Sequence, residues 1–344
     1  MQRRRSGNAH SGPMTIAKGS NTHGILNQRP SRDEYYQIGV YETQGTRPTM
    51  EDTHAFIVDF DSVKGQGYFG VFDGHGNKNV AEWCGYYFHQ MLLGAMHDHP
   101  NLALEKVLHK AFRRVDETLR KYSLQSEQIA ESGSTAAIAF LRIEDKDGTQ
   151  ASFTSPPAAE NASTSTSTPS PSASRSTNHR RTPSETAKRV LYCANAGDAR
   201  TVLCRNGTAI RLTQDHKVTD PSEGSRIRQA GGVIMRGRVF GTLAVSRSLG
   251  NHISYDGIRM KQYVISTPYT SRTELTDEDE FCIIACDGLW DVITDQDAVN
   301  LVRRIKDAQY ASKILVNHAL RNDVQPTRDN VTVMVVRFKD FVSQ

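Results

Sequence analysis

The stretch FCIIACDGLWD, Phe281–Asp291, shows the pattern on which much of this chain is built. A short apolar run stops at an aspartate, and a glycine follows the aspartate directly. Such a run is typical of a buried strand, and an Asp-Gly pair is typical of the turn that ends it. The arrangement recurs at Tyr68–Gly76. At Leu191–Asp198 the glycine precedes the aspartate, and at Asp329–Phe338 an Asp-Asn pair precedes the apolar run. Acidic residues therefore stand at the ends of several predicted strands.

Strands and helices can be predicted outward from these positions. Runs rich in β-branched and aromatic residues predict strands at Ala55–Phe60, Tyr68–Phe72, Thr135–Ile143, Arg189–Asn195, Thr201–Arg205, Phe281–Ala285 and Val331–Phe338. Helical spacing and helix-end signals predict helices at Asn79–Met96, Leu102–Tyr122, Ser222–Ala230, Gln296–Lys306 and Ala311–Leu320. Because strands come in runs and helices in pairs, the order predicts an α+β fold without alternating β-α-β units.

Two segments do not share this pattern. Residues 147–187 contain the low-complexity run STSTSTPSP, Ser163–Pro171, which cannot bury enough apolar surface to offset its ordering entropy. We expect a disordered loop inserted between two neighbouring strands of one domain over 35–340. Residues 1–34 are basic and contain no apolar run of the kind a secretory signal needs. A disordered tail is expected there, with a mitochondrial presequence as the alternative.

Composition argues against several classes of protein. The net charge is only +4. The sequence contains no basic stripe with interleaved aromatic residues, so a nucleic-acid partner is not predicted. The sequence contains no run of about 18 apolar residues, so no membrane span is predicted. The five cysteines form no C-x-x-C pair, so neither a zinc site nor a redox motif is predicted. Buried reduced thiols are typical of a protein in the cytoplasm or nucleus.

The acidic residues at strand ends could meet in space. Carboxylates gathered together repel one another unless cations lie between them. Oxygen ligands without His or Cys favour magnesium or manganese over zinc. Two such ions can clamp a phosphoryl group for in-line attack. Asp-Gly is also among the commonest turn dipeptides, so spacing alone leaves a metal site and a set of ordinary turns equally open.

Seven blocks taken together resemble the type 2C family of metal-dependent protein phosphatases. In chain order they are Arg47–Asp52, Phe72–Gly76, Ser132–Ala136, Ala196–Arg200, Leu243–Gly250, Cys286–Asp291 and Asp329-Asn330. The resemblance covers about residues 35–338 apart from the insertion. It implies a β-sandwich of two antiparallel sheets flanked by pairs of helices. Within the family the chain looks most like small fungal enzymes that dampen stress-activated MAP kinase signalling.

The resemblance implies a centre of two divalent cations, Mg²⁺ or Mn²⁺, with a third and weaker ion beside it. The positions that would hold these ions are Glu51, Asp73, Gly74, Asp198, Asp287, Asp291 and Asp329. Asp73 would bridge the two ions, and Glu51 would act partly through water. Asp198 and Asp291 would hold the third ion.

Two further positions have implied catalytic roles. Arg47 resembles the residue that grips the substrate phosphate, and His75 resembles the general acid that protonates the leaving alkoxide. A water activated by the metal would attack phosphorus directly, without a protein nucleophile. Asn251 and Phe240 depart from the family pattern, within or beside a segment, about 216–250, that forms a flap next to the cleft in the family. They are expected to bear on substrate range and on the third ion.

The expected activity is hydrolysis of phosphoserine and phosphothreonine in proteins. Phosphorylated proteins, MAP kinases among them, are the expected partners of a monomeric chain. One alternative is a catalytically silent scaffold with the same fold, although retention of Asp73, Asp287 and Asp329 argues against it. A second alternative is a metal-dependent phosphodiesterase or nuclease, since two-metal chemistry is shared among these enzymes.

Overall fold

The computed structural model describes residues 31–32, 35–150, 187–252, 254–255, 257–322 and 325–338. Most of the predicted tail over 1–34 and of the predicted insertion over 147–187 lies outside these residues. Two short parts of these segments are described. Ser31–Arg32 pairs with Gln37 and Ile38 as a short strand, and residues 147–150 form a turn that brings Gln150 beside Glu144.

Two antiparallel sheets form the centre of the fold. The first sheet has the spatial order Ser31–Arg32, Tyr36–Thr43, Val331–Phe338, Asp279–Ala285, Arg200–Arg205 and Thr208–Arg211. The second sheet has the order Tyr269–Glu274, Lys188–Ala196, Ala136–Glu144, Gly67–Phe72 and Thr53–Val58. Apolar side chains of both sheets, including Ile38, Phe69 and Met334, form one buried cluster between them. The predicted sandwich of two antiparallel sheets is confirmed.

Seven helices are present in the described part of the chain, and pairs of them cover the outer face of each sheet, which completes four layers. They are α1 Asn79–Asp98, α2 Leu104–Ser123, α3 Glu127–Glu131, α4 Pro221–Gln229, α5 Asp287–Trp290, α6 Asp295–Val302 and α7 Ala308–Arg321. Helix α2 buries Leu108, Phe112 and Leu119 with α1 against the second sheet. Helices α6 and α7 pack on the first sheet. The predicted flanking pairs of helices are therefore present.

Several short strand pairings and 3-10 turns lie outside the two main sheets. Leu249–Gly250, Gly133–Ser134 and Gly74–His75 form a small three-stranded sheet. Two-residue ladders join Ile234–Met235 to Arg238–Val239 and Ser254–Tyr255 to Ile258–Arg259. Single 3-10 turns occur at Phe60–Ser62 and Met260–Gln262.

The two strands on either side of the predicted insertion are neighbours in the second sheet. Ala136–Glu144 and Lys188–Ala196 pair along their whole length, from Ala136 opposite Ala196 to Glu144 opposite Lys188. At one end of this pair, the Thr135 amide donates to the Asp73 carbonyl at 2.9 Å. The chain leaves for the insertion at the other end. Both flanking strands thus belong to one domain.

Three strands of four or more residues were absent from the prediction, for different physical reasons. Tyr269–Glu274 is mostly polar because it is an edge strand, paired on one side only. Thr208–Arg211 is a short edge strand of the same kind. Tyr36–Thr43 contains Gly39, and glycine is depleted in strands. Helix bounds differ as well, since the predicted Gln296–Lys306 is Asp295–Val302 in the structure and the predicted Ala311–Leu320 is Ala308–Arg321.

Gly39 allows α7 to lie directly on the first sheet. A Cβ atom at Gly39 would lie 2.1 Å from the backbone of Ala308 and Gln309. The Gln309 side chain also accepts from the Val40 amide at 2.9 Å and donates to the Val40 carbonyl at 2.6 Å. The close approach therefore fixes the start of α7 against this strand.

Gly39→Ala is expected to lower the free energy of unfolding by about 1–3 kcal/mol, because two segments of backbone must separate to admit the methyl group. Urea denaturation followed by circular dichroism measures the change. Gly94→Ala is the matched control, since the added methyl group would meet only the flexible end of Arg114. Equal stability of the two variants would contradict this account of the contact.

Candidate metal centre

Three aspartates from different strand ends converge at one end of the sandwich. Asp73 follows a strand of the second sheet, and Asp287 opens α5 after a strand of the first sheet. Asp198 lies in the turn that connects the two sheets. One carboxylate oxygen from each residue lies within 4.8 Å of those from the other two. The structure thus brings together three of the aspartates that the resemblance singles out, and their roles in holding ions stay predictions.

The convergence makes ionisation of these carboxyl groups costly. Burial, followed by the charges of Asp287 and its neighbours, raises the pKa of Asp73 and Asp198 well above the ordinary range. Burial and the charges of Asp291 and Asp329 raise the pKa of Asp287 to about 6. Bound cations would relieve this repulsion, because they favour the charged carboxylates.

The donor set of Asp73, Asp198 and Asp287 suits a hard divalent cation, because every donor is a carboxylate oxygen. A second group joins Asp73 to Asp52 and Cys286. Burial and nearby carboxylates raise the pKa of the Cys286 thiol well above its usual value. The thiol therefore stays protonated at neutral pH, and the second group fits such an ion less well.

Asp52 is a site residue that the sequence prediction did not include. It is buried and accepts from the Thr332 hydroxyl at 2.8 Å. Burial raises its pKa to about 7, although its hydrogen bonds to Thr332 and Cys286 act in the opposite direction. The adjacent acidic pair Glu51-Asp52 was the available signal, but sequence alone did not show which of the two points inward.

Glu51 lies beside Gly74 through its backbone. A Cβ atom at Gly74 would lie 2.4 Å from the Glu51 carbonyl oxygen. The Glu51 amide donates to Asn330 Oδ1 at 2.8 Å, and its carboxylate accepts from the Thr49 hydroxyl at 3.0 Å. The Glu51 carboxylate is in neither acidic group of the described residues. The roles of Glu51 and Gly74 in holding an ion stay predictions.

Arg47 and Asp329 form an ion pair at the rim of the centre. Arg47 Nη2 lies 2.6 Å from Asp329 Oδ2, and the arginine side chain is 55% exposed. The hydrogen bond to Asp329, with the charges of Asp287 and Asp73, raises the pKa of Arg47. Asp329 thus lies near the central carboxylates, although it is outside the two groups within 4.8 Å. Its role as a metal ligand stays a prediction.

Asp291 is paired with a lysine that the prediction did not include. Lys217 Nζ lies 2.5 Å from Asp291 Oδ1. Although burial lowers the pKa of Lys217, the hydrogen bond and charge of Asp291 and the charges of Asp198 and Asp287 raise it overall. The lysine therefore stays charged and offsets part of the acidic field. A role of Asp291 in holding a third ion stays a prediction.

His75 lies in the small three-stranded sheet next to Gly74. Its Nε2 is 2.9 Å from Asn251 Oδ1, which also accepts from the Ser248 hydroxyl at 2.6 Å. As Asn251 Oδ1 can only accept, His75 Nε2 carries a proton. Burial lowers the pKa of His75. Asn251, a departure from the family pattern, thus contacts the candidate general acid directly.

A family profile decides the class of this protein. The profile described as "Protein phosphatase 2C" matches residues 36–145 and 144–328.

The chain belongs to the protein phosphatase 2C family.

Similar curated proteins agree with this assignment across nearly the whole chain. "Protein phosphatase 2C homolog 1" of Saccharomyces cerevisiae is 39% identical over 318 residues, 91% of this chain and 98% of that protein. The protein of the same name from Schizosaccharomyces pombe is 35% identical over 94% of this chain and 79% of its own length. A rice "Probable protein phosphatase 2C 42" is 36% identical over 86% and 82% of the two chains.

Solved structures show the same fold. A serine-threonine phosphatase 2C from Toxoplasma gondii superposes with a TM-score of 0.65 at 20% identity, covering 92% of this chain and 98% of that one. A C. elegans sex-determining protein gives 0.68 at 20% identity, covering 90% and 66%.

Membership of the protein phosphatase 2C family makes this chain a metal-dependent protein serine/threonine phosphatase. Its three central aspartates fit that class, because they provide the oxygen donors that such an enzyme requires. Among the described residues, no helix has both the length and the apolar character that a bilayer span requires.

Proposed function

We propose that this protein phosphatase 2C hydrolyses phosphoserine and phosphothreonine in proteins at a centre of two divalent cations, Mg²⁺ or Mn²⁺. The convergence of Asp73, Asp198 and Asp287 within 4.8 Å carries the proposal. Asp73, the Gly74 carbonyl, Asp287 and Asp329 would hold the two ions. When bound, these ions would polarise the phosphate oxygens and lower the pKa of the attacking water.

Carboxylates around this pair would complete the set that holds cations. Glu51 is proposed to act partly through water, since its backbone adjoins Gly74. Asp198 with Asp291 is proposed to hold a third, weaker ion. Lys217 would limit the affinity of that third position, because its ammonium group already neutralises Asp291.

Arg47 is proposed to bind the substrate phosphate. Its guanidinium group lies at the exposed rim, and its planar fork matches two phosphate oxygens at once. In this structure Arg47 Nη2 donates a hydrogen bond to Asp329 Oδ2 at 2.6 Å, so the guanidinium group is already paired. A cation that takes up the Asp329 carboxylate would leave Arg47 available to the incoming phosphate.

His75 is proposed to protonate the leaving alkoxide. Its ring is held by Asn251 at 2.9 Å beside the proposed ligand Gly74. Although burial lowers its pKa, a bound phosphate dianion nearby would favour the protonated imidazolium form.

Water is favoured over a protein thiol as the nucleophile. All five cysteines are buried. Burial raises the thiol pKa of each, including Cys286 next to the centre. Such thiols are poor nucleophiles at neutral pH.

We further propose negative regulation of a stress-activated MAP kinase pathway, with phosphorylated MAP kinases among the substrates of a monomeric enzyme. This proposal follows from the resemblance of the sequence to small fungal members of the family, and the two yeast relatives support the family itself. A cytoplasmic or nuclear location is proposed on the five buried free thiols.

Phosphate release from a phosphothreonine peptide, titrated with Mn²⁺ and with Mg²⁺, tests the proposed activity. We expect release that depends on the cation and stops on chelation. No release at any cation concentration would favour the scaffold alternative. Faster cleavage of a plain phosphodiester than of the phosphopeptide would favour a phosphodiesterase.

A further inference from the structure

Lys261 is a largely buried lysine whose hydrogen-bonding capacity is fully used. Its Nζ donates to the Ser248 carbonyl at 2.7 Å and to the Gly250 carbonyl at 3.0 Å. Its third contact is Asp116 Oδ1 at 2.8 Å. An ammonium group has three N–H donors, so these three partners satisfy it completely. The lysine therefore holds two carbonyl groups of one short turn in fixed positions.

Asp116 holds the same turn from helix α2. Its Oδ1 accepts from the Gly250 amide at 3.0 Å. The side chains of Asp116 and Lys261 are only 13% and 20% exposed. Burying an ion pair gives little net stability, because desolvation of both charges offsets their attraction. What this pair does supply is a defined position for the backbone that leads into Asn251.

Asn251 ends the turn in a left-handed backbone conformation. Its φ is 56°, after a φ of 76° at Gly250, and asparagine tolerates this region better than most residues do. The side chain is buried, and the backbone amide donates to the Ser132 carbonyl at 2.8 Å. The Ser248 hydroxyl donates to Asn251 Oδ1 at 2.6 Å. This hydrogen bond orients the side-chain amide and leaves one lone pair of the oxygen for His75.

The absence of a side chain at Gly133 allows Asn251 and His75 to meet. Gly133 lies in the central strand of the small sheet, opposite His75 on one side and Gly250 on the other. A Cβ atom at Gly133 would lie 2.1 Å from Asn251 Oδ1 and 2.3 Å from His75 Nε2. The hydrogen bond between the two side chains therefore crosses a position that only glycine can occupy.

This chain of contacts bears on how His75 would deliver a proton. Because Asn251 engages Nε2 at 2.9 Å, only Nδ1 is left to exchange a proton with the substrate. The proton on Nδ1 would pass to the leaving oxygen as the bond from that oxygen to phosphorus breaks. Such a transfer requires about 2.6–3.2 Å between the heavy atoms. Small displacements of the ring are therefore costly for catalysis.

We propose that the ion pair of Lys261 with Asp116 positions His75 through the side chain of Asn251. The pair acts on the leaving-group step and needs no contact with the substrate. This inference rests on the proposed role of His75 as general acid and adds the residues that hold it in place. Its signature is a loss of rate that depends on how strongly the leaving group requires a proton.

The test compares two substrates whose leaving groups differ in basicity. A threonine alkoxide needs a proton to depart, whereas para-nitrophenolate departs without one. In Lys261→Met, kcat for a phosphothreonine peptide should fall about thirtyfold, and kcat for para-nitrophenyl phosphate only about threefold. KM should change little for either substrate. Lys261→Arg keeps the charge and the donors, so it should lose much less.

Matched variants check each link of the chain. Asn251→Leu removes the acceptor and should show the same dependence on the leaving group, whereas Asn251→Asp keeps both acceptor positions and should retain most of the rate. Ser248→Ala releases the amide and keeps the test decisive if Lys261→Met does not fold. Lys188→Met is the control, because it breaks the ion pair with Glu274 at the insertion end of the second sheet. It should change neither rate.

A double-mutant cycle separates positioning from general damage. In a His75→Gln background, Lys261→Met should cost the phosphopeptide no more than it costs para-nitrophenyl phosphate, because the group that it positions is gone. Equal losses for the two substrates in Lys261→Met alone would overturn the inference. Full additivity of the two substitutions in the phosphopeptide assay would also overturn it.

Long-range ¹H–¹⁵N correlation NMR reports the state of the His75 ring without catalysis. The wild type should have its proton on Nε2, and Lys261→Met should show both tautomers. An unchanged tautomer in Lys261→Met and in Asn251→Leu would contradict the positioning role. If His75→Gln left hydrolysis of the phosphopeptide unchanged, the proposed general acid would be wrong instead, and the NMR result would decide on positioning by itself.

Discussion

Asp73→Asn is expected to abolish metal-dependent phosphate release and, at the same time, to raise the Tm of the metal-free protein. The loss of activity should be on the order of a thousandfold, because the variant removes the carboxylate at the middle of the proposed cation site. The gain in stability follows from the metal-free geometry, in which Asp73 lies among Asp52, Asp198, Asp287 and Asp329. Few other substitutions should move activity and stability so far in opposite directions.

The direction of the stability change can be derived from the pKa of Asp73. Burial and the surrounding carboxylates raise this pKa well above its value in an unfolded chain. At neutral pH the folded state therefore disfavours the ionised group more than the unfolded state does. An asparagine side chain carries no charge and escapes this cost, so we expect a gain of a few degrees in Tm.

Differential scanning fluorimetry in a chelator, together with the phosphopeptide assay, measures both effects. Asp277→Asn is the matched control, since Asp277 is exposed and the substitution is the same. It should change neither quantity. An Asp73→Asn protein that keeps its activity, or that unfolds at a lower temperature than the wild type without metal, would contradict the prediction.

Divalent cations are expected to stabilise the protein strongly at pH 8 and only weakly at pH 5.5. Asp287 has a pKa raised to about 6, and Asp52 has one raised to about 7. Protons compete with cations for such groups over this range of pH. The rise in Tm on addition of Mn²⁺ should therefore grow as the pH increases.

Without metal the trend should reverse. Groups whose pKa is higher in the folded state bind more protons there, so their contribution to stability is lost as the pH rises from about 4 to about 7. Melting curves at pH 5.5, 7 and 8, in chelator and in saturating Mn²⁺, measure both trends. Asp287→Asn should weaken the pH dependence in chelator. A metal-induced shift in Tm that is the same at every pH would be inconsistent with this assignment.

Apolar runs predicted the centre of the fold correctly, because burial leaves a strong mark on composition. Val331–Phe338 is almost entirely apolar and lies inside the first sheet with the bounds that were predicted. Tyr269–Glu274 could not be found in this way, since an edge strand keeps polar side chains towards solvent. Helix ends such as Val302 also depend on tertiary contacts that composition does not encode.

The candidate centre could be predicted only in outline. The positions of Asp73, Asp198 and Asp287 at strand ends were visible in the sequence, and the structure brings them together. Asp52 and Lys217 were missed because their importance comes from what surrounds them: Thr332 and Cys286 for the first, and Asp291 for the second. These contacts join residues that are far apart in the sequence, so no local sequence pattern predicts them.

The strand pair around the insertion suggests a place for engineering. Its two strands meet the centre near Asp73 at one end, and they give rise to the insertion at Glu144 and Lys188 at the other. At about 3.3 Å per residue, this separates the two by about 25 Å. A fluorescent reporter or an affinity tag inserted between these strands would lie at the end of the strand pair opposite Asp73. We expect it there to leave the access of substrate to the centre unchanged.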